Sequence, residues 1–137
     1  GPFYLIWEEP ERSGVGREQW PFQLTQLSLQ PSLAKLYPDL LPPWQDAQAS
    51  RGYQAFVKNC FPCHTLNHQG ASRFGPDLNL PMNPTRYFAR DVLKKFIRDP
   101  RSVRSWPGMQ MVAFGPEVLP DSQLDDLIHY LETMARR

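Results

Sequence analysis

The rhythm of apolar positions changes near residue 44. Before it, residues 3–7 and 20–29 are two short stretches rich in aromatic and β-favouring side chains. Residues 23–29 alternate polar and apolar as a half-buried strand does. Residues 8–17, between them, carry the Glu, Pro, Ser and Gly of a loop. Pro38, Pro42 and Pro43 then interrupt any regular element. Residues 1–44 therefore read as an extension with two strand-like segments and a Pro-rich linker. Two strands are marginal alone, so the extension needs a surface to lean on: its own helical neighbour, a partner, or chain further upstream.

From Gln45 the pattern becomes helical. Asp46 is placed to cap a helix running to about Asn59, with Ala49, Tyr53, Phe56 and Val57 on one face. Asn83-Pro84 has the form of a second helix start, followed by the stripe Val92, Leu93, Phe96 and Ile97 and closed by Asp99-Pro100. Asp121 is placed to cap a third, with Leu124, Leu127, Ile128, Leu131 and Met134 on one side. Residues 65–83 and 100–120 read as loops. The expectation is a mostly α domain over 45–137, with three main helices, preceded by the short β-like extension.

Composition narrows the function classes. Of 137 residues, 15 are Lys or Arg and 14 are Asp or Glu, a formal charge of +1. No basic excess exists to neutralise phosphates, so nucleic acid is not an expected partner. The longest apolar run, residues 3–7, is far short of the ~20 residues of a membrane span. No signal peptide is visible, and the chain begins at Gly1 rather than Met. That start suits a processed chain or a piece of a longer one.

The chemistry concentrates in one place. The chain has 2 cysteines, and both lie in Cys60-Phe-Pro-Cys63-His64. Two thiols at this spacing can add to the two vinyl groups of one haem, and the adjacent imidazole is then delivered to the iron. A structural zinc site, with His68 as fourth ligand, is an alternative. A thioredoxin-like dithiol is another, although that pair belongs in a βαβ setting.

Four segments, in order, resemble the class I cytochrome c family over about residues 46–135. Gly52, Phe56 and Cys60 match its first helix. Gly75-Pro76-Asp77-Leu78 matches the Gly-Pro-x-Leu loop. Pro107-Gly108-Met109-Gln110-Met111, with Phe114 and Gly115, looks like the distal-ligand loop. Leu127-Ile128-x-Tyr130-Leu131 looks like the last helix. The resemblance implies one haem c with its iron, attached at Cys60 and Cys63. His64 would be the proximal ligand and Pro76 would orient it through its carbonyl. Met111 would be the distal ligand, with Met109 as the alternative after a loop shift. Gly52 would let the first helix pass close to the last, near Tyr130. Met134 and Met82 read as packing residues. Trp106 would donate to a haem propionate or cover the haem edge.

A closed His/Met coordination suits one-electron transfer rather than catalysis. The implied role is an electron carrier between redox protein partners: a donor dehydrogenase or oxidoreductase, and an acceptor oxidase or cytochrome. Haem c is attached outside the cytoplasm in this family, so a periplasm or an equivalent compartment is implied. Residues 1–7 and 18–24 are similar to strands of sulfite-oxidase-type molybdopterin proteins. That similarity implies the alternative of a haem subunit accepting electrons from such a catalytic partner; a plain extension wrapping the haem domain is the other reading. His68 and His129 read as solvated. Arg86, Arg90, Arg98, Arg101 and Arg104 read mostly as a solvated basic face, with propionate or partner pairing as the alternative.

Overall fold

The computed structural model describes residues 3–13, 20–21 and 23–136. Gly1, Pro2, residues 14–19, Phe22 and Arg137 lie outside them, so the expected 8–17 loop is only partly seen. The described chain is mostly helical, and the polypeptide divides into two units, Gly1–Ser32 and Leu33–Arg137.

In the first unit the two expected strands reduce to a single antiparallel bridge between Phe3 and Leu24, where the Leu24 N–H donates to the Phe3 carbonyl at 3.1 Å. No strand forms among the described residues. Pro21 cannot donate to a ladder, and the described residues of this unit supply no third strand. A short helix, α1 (Pro10–Ser13), occupies the connection, and Trp7 stacks on Trp20 at 5.8 Å.

The second unit holds α2 (Leu33–Leu36), α3 (Ala47–Asn59), α4 (Arg90–Arg98) and α5 (Asp121–Met134). The Pro-rich stretch contributes to this unit. Pro38–Leu40 forms a 3-10 turn, Leu40 is fully buried, and its carbonyl accepts from the Tyr130 hydroxyl at 2.7 Å.

Helix α3 begins as its sequence dictates. The Asp46 side chain accepts from the Ala49 N–H at 2.8 Å, satisfying one of the orphan donors of the first turn. Its apolar face crosses α5 at Gly52, where an added Cβ would stand 2.6 Å from the Tyr130 Cβ. Absence of a side chain lets the two backbones approach, as the Gly52 reading requires. Around the crossing pack Tyr53, Phe56, Leu93, Ile97, Leu124, Leu127, Ile128, Tyr130, Leu131 and Met134. Met134 is fully buried. Arg51 seals the crossing with Asp126 at 2.7 Å.

Two helix starts differ from expectation. Asn83 caps a 3-10 turn, Pro84–Arg86, through its bond from Thr85 N–H; α4 begins only at Arg90, after extended Ala89. The break folds Phe88 onto Phe96, ring centroids 5.4 Å apart. Asp121 is the first residue of α5 rather than its cap; Pro120 holds the cap position, and the Asp121 carboxylate accepts from Arg98 at 2.6 Å.

Candidate haem site

The Cys60–His64 turn is built on the C-terminus of α3. The Cys60 N–H still donates to Phe56 O at 2.8 Å, and the His64 and Cys63 N–H groups donate back to Cys60 O at 2.8 and 3.0 Å. The helix therefore winds into a tight turn that presents both thiols and the imidazole within one loop. Both cysteines are free; Cys63 is exposed and Cys60 partly buried. Burial, then the neighbouring Cys63, pushes the Cys60 thiol up to about 12.

The imidazole of His64 is fixed from two sides. Its Nδ1 lies 2.7 Å from the Pro76 carbonyl oxygen. Gly75 lies flat against the ring, so that an added Cβ would fall 2.6 Å from Nδ1. A carbonyl can only accept, so Nδ1 carries the proton and Nε2 keeps its lone pair. Burial lowers the pKa of His64, opposed by the Pro76 bond and the Asp77 charge, which favours the neutral ring a metal ligand needs. The Gly75 cradle and the free Nε2 fit the proximal side of a haem iron, with Cys60 and Cys63 in place for two thioethers.

The loop behind this site is organised by Asp77, which stands at the variable position of Gly-Pro-x-Leu and so carries no signal in that motif. Its carboxylate accepts from the Thr65 hydroxyl (2.9 Å) and from the N–H groups of Asn67 (3.2 Å), His68 (2.8 Å), Asn79 (2.8 Å) and Leu80 (2.9 Å). Burial would raise its pKa, but these donors outweigh it and the net direction is down. Asn79 and Asn83 then tie the loop to the end of α5, through Met134 O at 3.2 Å and Leu131 O at 3.1 Å.

The loop that carries the methionines is pinned to α4. Trp106-Pro-Gly-Met109 is a type II turn, with Gly108 at φ +83° and the Met109 N–H on Trp106 O at 3.2 Å. Phe114 N–H donates to Ile97 O at 3.2 Å, and Arg98 donates to Phe114 O and Leu119 O. Met111 is half-buried and packs on the core; Met109 is buried; Met82 is exposed. Trp106 is about half exposed, its ring 5.3 Å from the Arg104 guanidinium, which also lies over Phe88 and Phe96.

Several polar residues differ from their solvated readings. His129 reaches the Asp46 carboxylate at 2.8 Å and so joins α5 to the start of α3. Arg90 pairs with Glu132 and Asp125, and Arg86 donates to Ala135 O. These, with Arg98, are clamps within the fold. His68 is exposed, as expected, and its N–H serves Asp77. Among the described residues no group of three or more His, Cys, Asp or Glu is arranged to hold a metal ion, so the zinc set of Cys60, Cys63, His64 and His68 is not assembled. The βαβ setting of a redox dithiol is missing from those residues too. No helix among them is long and apolar enough to cross a membrane.

A search of curated proteins returned no match. The cytochrome c family model matches residues 49–135, the span that includes all but the first two residues of α3, the attachment turn, the methionine loop and α5. The chain belongs to the cytochrome c family, whose role is electron transfer.

Proposed function

We propose that the protein carries single electrons through one haem c, covalently bound at Cys60 and Cys63 and ligated by His64 and Met111. The observation that carries this reading is the fixed tautomer of His64, one residue from Cys63, with Nδ1 held by Pro76 and Nε2 left available. When bound, haem c supplies a one-electron iron couple. The chain's own part is to orient, cover and insulate. Pro76 keeps the imidazole from rotating. Gly75 gives it a flat wall. Met111, packed on the core, would supply the second ligand and so leave no open position for a substrate. Trp106, stacked by the Arg104 guanidinium, would cover an edge of the group. The periplasm or an equivalent compartment is where such attachment occurs.

Electrons would pass between redox proteins. The alternative reading is a haem subunit fed by a catalytic partner, whose molybdopterin type rests only on the similarity of residues 1–7 and 18–24; that some partner covers the first unit is favoured by one observation. The first unit leaves Phe3, Tyr4, Ile6, Leu27 and Leu29 exposed, an apolar surface of the kind that partners cover.

The test is an absorption spectrum of the purified protein, oxidised and reduced, followed by extraction with acidified acetone. A pigment that stays with the polypeptide and shows a low-spin reduced spectrum supports the proposal. A colourless protein, or one that surrenders its pigment, refutes it. A stable complex that co-purifies with an oxidoreductase would select the subunit reading over the free carrier.

A further inference from the structure

We infer that Asp77 is a positioning residue for the proximal histidine: its carboxylate gathers the 65–80 loop so that Pro76 O stays on His64 Nδ1, and its fixed negative charge favours the oxidised iron. This deepens the haem c reading and rests on it.

The geometry is unusually complete. One carboxylate receives five donors, drawn from both sides of the loop: Thr65, Asn67 and His68 before it, Asn79 and Leu80 after it. Pro76 precedes Asp77 directly, so the knot fixes the peptide that carries the Pro76 carbonyl. Proline cannot donate a hydrogen bond, and its position is set by what lies on either side. Gly75 N–H is tied to Cys63 O at 2.8 Å, and Leu78 N–H to Thr65 O at 2.9 Å. Gly75, Pro76 and Asp77 are thereby strung between the attachment turn and the carboxylate knot. If the knot opens, the Pro76 carbonyl is free to swing off Nδ1.

The charge acts as well as the shape. Asp77 directly follows Pro76, whose carbonyl oxygen lies 2.7 Å from His64 Nδ1. Ferric iron carries one more positive charge than ferrous iron. A nearby carboxylate that is partly shielded from water therefore stabilises the ferric form. A firm bond from Nδ1–H adds electron density to the ring and works in the same direction.

The experiment compares the reduction potentials of the holoprotein, Asp77→Asn and Thr65→Val. Asp77→Asn keeps the size and removes the charge; its potential should rise, giving a several-fold shift toward reduced protein at a fixed ambient potential. Thr65→Val removes one neutral donor and keeps the charge; its potential should stay in place. Should Asp77→Asn fail to take up haem, hydrogen exchange in the wild type provides the reading. The His64 Nδ1 proton should exchange together with the amides of His68, Asn79 and Leu80, because one opening frees all of them. A potential unmoved in Asp77→Asn, or a His64 proton that exchanges independently of those amides, overturns the inference. Pigment that extracts from the wild type sinks the haem c reading itself; covalent pigment with an unmoved potential sinks only the role of Asp77.

Discussion

Gly52 of α3 lies against the backbone of Asp126 and the Cβ of Tyr130 in α5, with no room between them for a methyl group. Gly52→Ala should therefore destabilise the fold although alanine is the better helix former. Overpacking costs about 1–3 kcal/mol, and the helical gain of alanine returns less than about 1 kcal/mol. A net loss of about 1–2 kcal/mol is expected in urea denaturation. A variant as stable as the wild type would mean that the two helices do not meet here.

Gly75→Ala tests the wall of the proximal site. Its Cβ would fall 2.6 Å from His64 Nδ1, so the ring must turn off Pro76 or the loop must shift. The expected outcome is a fall in the yield of covalently loaded protein, measured as the ratio of haem absorbance to total protein. Full loading with an unchanged spectrum would count against the cradle.

Met111→Ala should abolish the weak far-red band of a Met–iron bond and lower the reduction potential, since a thioether ligand raises it. Met109→Ala should leave the band in place. The reverse result would move the distal role to Met109.

Acid should weaken the junction of α3 and α5. The Ala49 N–H, followed by His129, holds the Asp46 carboxyl below its usual 3.8. A depressed carboxylate contributes stability above its unfolded value and loses it as pH falls through the lower folded value. The urea midpoint of the wild type should hold near neutrality and fall on acidification below about 3.8. Asp46→Asn preserves a good cap but drops the charge, so it should start lower and show less of that fall. Equal acid sensitivity in the two proteins would show that Asp46 is not the group responsible.

What could be read from the sequence was local or spaced along one element. Asp46 before α3, the stripe of α5 and the Cys60–His64 spacing are legible because helix periodicity and ligand order are written in neighbouring residues. The Arg51–Asp126 and His129–Asp46 pairs are not, because the partners meet only after the chain has folded back. Asp77 was hidden for a different reason: four of its five donors are backbone amides, which carry no residue signature. A short loop with an acid among Asn, Gly and Pro was the available hint. In 3–7 and 20–29, strand-like composition misled, since β propensity expresses packing on a neighbouring sheet that these segments lack.

The α3–α5 crossing also orders events in time. A chain emerging N-terminus first exposes Cys60, Cys63 and His64 before α5, the 14-residue helix that packs on α3, has been delivered. Contacts of such long separation form late. The Cys60–His64 turn is therefore complete in the emerging chain before the helix that closes the core is present, and a group joined to it at that stage would meet an open polypeptide.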